Sequence, residues 1–534
     1  LKTQYSDINT QALDALIQRV SEAKEHNLAL TPEDCQLLID ALLTLASMQE
    51  NLASNSITIH KLKKLVGMVK SSEKLRSSLA QSNAKKSKKK KKGNKSDSPV
   101  ATIKPVVVHH PLADMAKGDD CPECDRGKLY KYEPATLLRI IGQSPFQSEQ
   151  HVMERLRCNT CGAYFTAPLP EEVLNDGGAN QKYGHSARSI MGIAKFGMGS
   201  PYYRQGAMQN LLGVPITAST IFDQNEHLSN ALHPVLKHLV LLAANATHYY
   251  LDDTTNRILD AKPIIKKQRN SHKSKERKGV YTSGLIATLD TGQKVTLFET
   301  NIGYAGEFID QILQTRDPAK PPPILMCDGL TSNKPSKTPC IMALCNSHGR
   351  RQFYDVMSHF PEEVDYLLDR YGTIWHNDDV TKEKNLSDQG RLMYHKKHSL
   401  PVMEELLGWG QSMLQSQGST QAKVEENSGL GKAIRYFIKH YEGLVRFCYV
   451  AGAQIDNNTM EAALKLAVLN RKNASFYKTQ AGASIGDVIM SLIATCIQSG
   501  VNAFDYFNAL QRDNQKVIDN PGEYLPWNYQ KNNT

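Results

Sequence analysis

Three acids far apart in the chain could do metal chemistry if folding brought them together. Asp252 ends the apolar run in HYYLDDTTNRIL, Asp328 ends the run in PPPILMCDGL, and Glu461 lies in QIDNNTMEAALKLAVLNRKN. Carboxylates at strand ends commonly serve turns. Both runs, however, are apolar enough for interior strands, where a carboxylate is costly unless paired or metal-bound. Two adjacent strands would set Asp252 near Asp328, and their repulsion would call for a cation. Oxygen-only ligands favour magnesium or manganese over zinc. A third carboxylate, from a helix, would complete a site for two ions roughly 4 Å apart, an arrangement suited to phosphoryl transfer. Spacing alone favours a plainer role for Glu461, in a capping box with Asn458 as N-cap and in an i,i+4 pair with Lys465. The two roles are compatible, because a capped first turn also holds the carboxylate rigidly.

A second chemistry belongs to the cysteines. CPEC and CNTC place Cys121, Cys124, Cys158 and Cys161 in two knuckles separated by the 33 residues 125–157. Four thiolates so spaced can meet tetrahedrally around one zinc ion, a closed and therefore structural site. The other six of the ten cysteines are scattered. The first residues lack the basic-then-apolar pattern of an export signal, so a reducing compartment without disulfides is expected.

Around these groups the chain changes character several times. Leu38, Leu45, Leu52, Ile59 and Val66 recur every seven residues in a helical pattern over 10–75. The intervening seam is largely polar, which leaves open a short dimerising coiled coil or a helical hairpin packed on its own chain. Net charge is +10, and eight lysines in KKSKKKKKGNK (85–95) supply most of it, leaving about +2 elsewhere. Such a tract, Lys88, Lys89, Lys90 and Lys91 included, reads as a disordered linker in contact with nucleic acid through salt-sensitive phosphate binding. In SPYYRQGAMQNLLGVPITASTIFDQNEHL (200–228) the spacing predicts a helix, a Gly-Val-Pro turn and a second helix capped by Thr217 or Ser219, a helix-turn-helix candidate. From 246 short apolar runs predict strands, and beyond 350 the pattern is helical. No run approaches the roughly 18 apolar residues of a membrane span.

Taken together, these residues resemble the transposases of the insertion sequence 66 family. The resemblance runs in order through LVGMVKSSEKL (65–75), the two cysteine knuckles, SPYYRQ, LDDT, CDG, HGRRQF (348–353), YHKKHSLPVMEELLGW (394–409), DNNTMEAALKLAVLNRKNASF and YLPW (524–527). It implies a DDE transposase with Asp252, Asp328 and Glu461 as its acid triad, holding two magnesium (or manganese) ions. Asp252 is preferred to Asp253 because the family's motif resembles Asp-Glu-Thr with its first acid catalytic. The implied reaction is cleavage at the element's ends, then attack of the freed 3′ hydroxyl on target DNA. Arg471 and Lys472 resemble family residues placed to meet phosphates, and Arg350 and Arg351 resemble a paired-arginine motif. The implied partners are end and target DNA and at least a second copy of the chain, with no membrane. Room is left for helper proteins from the same element, in a bacterial cytoplasm at the nucleoid.

The fold class expected is multidomain α+β. Its parts are a helical zipper-like region (1–76), a Lys-rich linker (77–118), a zinc ribbon (119–168) and a helix-turn-helix-like region (169–240). A ribonuclease-H-like α/β core follows in two parts (241–352 and 451–500), split by a helical insertion (353–450) and ending in a tail (501–534). The chain departs from the family pattern at Ala462, where Arg is usual, at Asp253, where Glu is usual, in SNKPSKTP (332–339) and in its long lysine run. Cys340, Cys345 and His348 read as packed side chains. Rival readings are a catalytically inactive, transposase-derived DNA-binding protein and a general metal-dependent nuclease.

Overall fold

The computed structural model describes residues 10–26, 28–39, 116–119, 128–129, 144–157, 159, 161, 163–177, 181–267, 274–414 and 424–532. Contacts divide the chain into two units, 1–95 and 96–534. In the first, helix Thr10–His26 is followed by a helix over 32–39, and Arg19 bridges them to Asp34 at 2.8 Å. The rest of the heptad run beyond Leu38 lies outside the described residues, as does the lysine tract.

The second unit is built on a five-stranded sheet in the order β7-β6-β3-β8-β9. Its strands are β3 (His248–Asn256), β6 (Val280–Thr288), β7 (Lys294–Asn301), β8 (Ile324–Cys327) and β9 (Ile341–Leu344). β3, β6 and β7 pair antiparallel, while β3, β8 and β9 run parallel. β8 is buried throughout, as strands covered on both faces must be. Two small hairpins stand apart. β1 (Arg155–Arg157) pairs with β2 (Tyr164–Thr166), and β4 (Ile264–Lys267) pairs with β5 (Ser274–Arg277).

The free edge of β7 is satisfied by a helix. The amides of Thr296, Phe298 and Thr300 donate to Thr495 Oγ1, Ser491 Oγ and Asp487 Oδ2 at 3.0, 2.9 and 2.8 Å. Four helical residues rise about 6 Å and two strand residues about 6.7 Å, so polar groups at i, i+4 and i+8 of the helix keep step with alternate strand amides. This closes an edge that would otherwise recruit another strand. The helix concerned, Gln480–Ser499, is long and apolar enough to cross a membrane by length and composition, yet most of it is buried in the core.

Helices supply the remaining layers. Ala218–Ala244 buries Leu228, Leu232, Val235 and Leu239 and packs on Gln480–Ser499. This helix thus joins the end of the segment expected to be helix-turn-helix-like (169–240) to the core, while Met191, Ile216 and Ile221 form a separate cluster. Between β9 and the Glu461 helix stand Pro361–Glu383, Asp388–His398, Leu400–Leu414 and Gly429–Leu444. The expected C-terminal tail is instead folded. Ala503–Arg512, Asn514–Asp519 and Pro526–Asn532 are helices, and Tyr506, Phe507 and Leu510 are fully buried. The apolar periodicity of AFDYFNAL requires such cover.

Candidate functional site

The sheet brings the first two acids together through register. β3 and β8 pair His248↔Ile324, Tyr249↔Leu325 and Tyr250↔Met326, and the same offset sets Asp252 beside Asp328. Asp328 follows the last residue of β8 and is 9% exposed. Its Oδ1 accepts from the Leu330 amide at 3.1 Å and from Asn333 Nδ2 at 2.8 Å. Gly329 is required beside it, because a Cβ there would lie 2.7 Å from Tyr436 Oη. Residues of the SNKPSKTP segment are tied down as well. The Ser336 amide and hydroxyl and the Lys337 amide all donate to the Asp310 carboxylate, at 2.7–3.1 Å.

The third acid arrives on helix Asn458–Ala474. Asn457 Nδ2 donates to the Leu251 carbonyl at 3.0 Å, which pins the start of the helix one residue before Asp252. Gly284 is the cross-strand partner of Asp252, and a Cβ there would lie 2.4 Å from Met460 Cε. The helix packs closely over Gly284, where a side chain would press on the end of Met460. The insertion braces the preceding loop: Trp375 Nε1 donates to Asp456 Oδ2 at 3.0 Å and Arg391 to Gln454 Oε1 at 2.9 Å.

The expected capping box does not form. Asn458 is the first helical residue, and Asp456 Oδ1 accepts its amide at 3.1 Å. The turn is held from before the helix, and the Glu461 carboxylate faces His348, with Oε1 3.6 Å from Nδ1.

Electrostatics mark Asp252. Burial, opposed by the Asp253 amide and reinforced by the charges of Asp328, Asp253 and Glu461, raises its carboxyl to about 7. Asp253 alternates to the other side of β3. Its carboxyl is also raised, by burial first, with the Ala305 amide opposing and Asp328 adding. The charges of Asp328 and Glu461 both reach Asp252, and such a group of carboxylates suits hard divalent cations with oxygen ligands.

The remaining residues singled out from sequence are placed as follows. Arg471 donates to Thr254 Oγ1 at 2.9 Å, to Thr255 Oγ1 at 2.7 Å and to the Thr255 carbonyl, so it tethers the Glu461 helix to β3. Lys472 and Arg351 are exposed, while Arg350 lies over the Tyr354 ring at 5.7 Å. Thr217 caps its helix by accepting the Thr220 amide at 3.2 Å and is bonded to Ser219. Cys121, Cys124 and Cys158 lie outside the described residues. Cys161 is exposed between β1 and β2. Sequence reasoning missed Asn333, which reaches the Asp328 side chain five residues back, and Asn457, whose partner is a backbone carbonyl 206 residues away. It also read Cys345 and His348 as packing residues, whereas their ligand atoms and a Glu461 oxygen lie within 4.8 Å of one another.

Comparison with known proteins adds to this geometry. The profile of a family described as Transposase IS66 family matches residues 182–485, more than half the chain and inclusive of all three acids. Two relatives from Sinorhizobium fredii are described only as uncharacterised proteins. The first, y4hP, is 23% identical over 407 residues, covering 72% of this chain and 69% of its own. The second, y4jD, is 24% identical over 422 residues, covering 76% and 77%.

Proposed function

The chain belongs to the IS66 family of transposases, and on that premise we propose that it cuts the ends of an insertion sequence and joins them to target DNA. The reading assigns the chemistry to Asp252, Asp328 and Glu461. It is supported by a sheet in the order of a ribonuclease-H-like core, with the first acid on its central strand and the second at the end of the neighbouring parallel strand. The observation that carries it is Asp252, a carboxylate raised to about 7 by burial, which comes first, and by the charges of Asp328, Asp253 and Glu461.

Two divalent ions of the magnesium or manganese class, when bound, would supply activation of the attacking oxygen and stabilisation of the leaving one. The chain's own part is to hold oxygen ligands in place. Asn333 and the Leu330 amide orient Asp328, and Asn457 fixes the start of the helix that carries Glu461. In the first step a water oxygen bonds to the phosphorus at the element's end and the 3′ oxygen leaves as a hydroxyl. In the second, that hydroxyl attacks a target phosphodiester and displaces its 3′ oxygen.

The lysines at 88–91, the exposed Arg351 and Lys472, Arg350, and Thr217 and Ser219 at the exposed start of helix Ala218–Ala244 are assigned to DNA contact. Arg471 acts through its tether to β3. One structural zinc is assigned to Cys121, Cys124, Cys158 and Cys161. The working assembly is at least a dimer, in the cytoplasm.

The test uses the full chain, magnesium, and duplex DNA carrying the terminal repeats that flank its coding sequence. Nicking and joining should be present, and should be lost in Asp252→Asn, Asp328→Asn and Glu461→Gln. Joining retained by any of these variants would reject the assignment. Specific binding of the ends by wild-type chain without any nicking would leave a DNA-binding relative without catalysis.

A further inference from the structure

We infer that Cys345, His348 and Glu461 form a second, softer metal site that takes a zinc-class ion and withdraws Glu461 from the acid triad. This rests on the assignment of Glu461 to catalysis only for its consequence; the site itself stands on geometry. The three ligand atoms lie within 4.8 Å of one another, and His348 Nδ1 is 3.6 Å from Glu461 Oε1. Zinc bonds of about 2.0–2.3 Å in a tetrahedron put ligand atoms roughly 3.5 Å apart. The cluster therefore needs only a modest contraction, which the third-exposed His348 ring can supply.

Local structure explains why these atoms converge. Cys345 is the N-cap of helix Asn346–Tyr354, and His348 stands in its first turn, so positions i and i+3 share a face. Glu461 stands in the first turn of Asn458–Ala474. The N-termini of two helices thus meet at one point, where partial positive charge favours thiolate and carboxylate. The Asn457 amide donates to Cys345 Sγ at 3.2 Å, and with the His348 and Ser347 amides it opposes the burial that raises the thiol to about 11; a bound cation would supply the remaining stabilisation of the thiolate. His348 Nδ1 is buried and has no hydrogen-bond partner. A ring nitrogen aimed at a carboxylate oxygen and left unbonded is suited to a cation between them.

The donor set decides the metal. One thiolate, one imidazole and one carboxylate suit zinc far better than magnesium. Three protein ligands leave a fourth position open, so the ion is exchangeable and not a closed structural centre. A Glu461 oxygen committed here leaves the hard site with one ligand fewer. Zinc at this point would hold the enzyme inactive while magnesium is present.

The test counts zinc on the full chain by dialysis against buffered zinc, without DNA or magnesium. Wild type should hold one zinc per chain more than Cys345→Ser and one more than His348→Ala. Asp328→Asn should keep the extra ion. His348 is partly exposed, so its variant reports even if the buried Cys345 substitution disturbs folding. Magnesium-dependent nicking by wild type should need at least tenfold less zinc for half inhibition than nicking by Cys345→Ser. Equal zinc counts in wild type and both variants would overturn the proposal, as would loss of the extra ion in Asp328→Asn, which would place it among the hard acids. The zinc count is independent of nicking, so failure of the transposase reading would not mimic failure of this one.

Discussion

Replacing Asp252 by Asn should make the metal-free protein more stable, and chiefly at neutral to alkaline pH. The carboxyl is raised from 3.8 to about 7 by burial and by the neighbouring acids. Each factor of ten in proton affinity is worth about 1.4 kcal/mol. Below about pH 3 the group is protonated in the folded and unfolded chain alike, and the substitution should change little. Between about pH 4 and 7 the unfolded chain releases the proton while the folded chain retains it, so wild-type stability falls as pH rises. Above pH 7 the loss is complete, at about 2–4 kcal/mol, the lower figure allowing for water that still reaches the site. Asparagine keeps the shape without the charge and escapes this loss. Urea denaturation of the catalytic unit in EDTA, at pH 5 and pH 8, should show a gap in favour of Asp252→Asn that widens with pH. Magnesium should close the gap at pH 8 by stabilising wild type alone, since ligands that bind the folded state stabilise it by mass action. A gap that is the same at both pH values, or a less stable variant at pH 8, would refute the reasoning.

Other expectations follow from contacts around the acids. Asn457→Ala removes the bond to the Leu251 carbonyl; it should cost about 1–3 kcal/mol for the orphaned buried group and reduce nicking under conditions where the variant remains folded. Gly284→Ala places a Cβ on the ends of Met460, Phe298 and Leu464; nicking should fall, with a modest fall in melting temperature, because the packing under the Glu461 helix must readjust. Asp487→Ala leaves the Thr300 amide and hydroxyl without their carboxylate; a loss of about 2–4 kcal/mol in urea denaturation, with faster amide exchange along β7, is the expected outcome.

Much of the sheet was legible because its strands are short apolar runs bounded by turn residues, and because two of those runs end in aspartate. Their register was not legible, since nothing local in LDDT or CDG says that the strands run side by side. The i,i+4 spacing of Asp487, Ser491 and Thr495 in an otherwise apolar helix was a readable sign of a polar stripe. Its partners are backbone amides of β7, which carry no sequence signature. Asn457 is similar, as its bond reaches a carbonyl 206 residues away. Glu461 was misassigned to a capping box because S/T/D/N-x-x-E fits many helix starts. Asp456 took the cap instead, and the glutamate was left free to face His348. The C-terminal segment looked like a tail only because its helices are short; their aromatic residues fill the core.

The most direct measurement is anomalous diffraction from crystals of the full chain grown with manganese. The account expects two manganese peaks about 4 Å apart, ligated by Asp252, Asp328 and Glu461. Manganese absent from these carboxylates, or held there with Glu461 turned away, would contradict it.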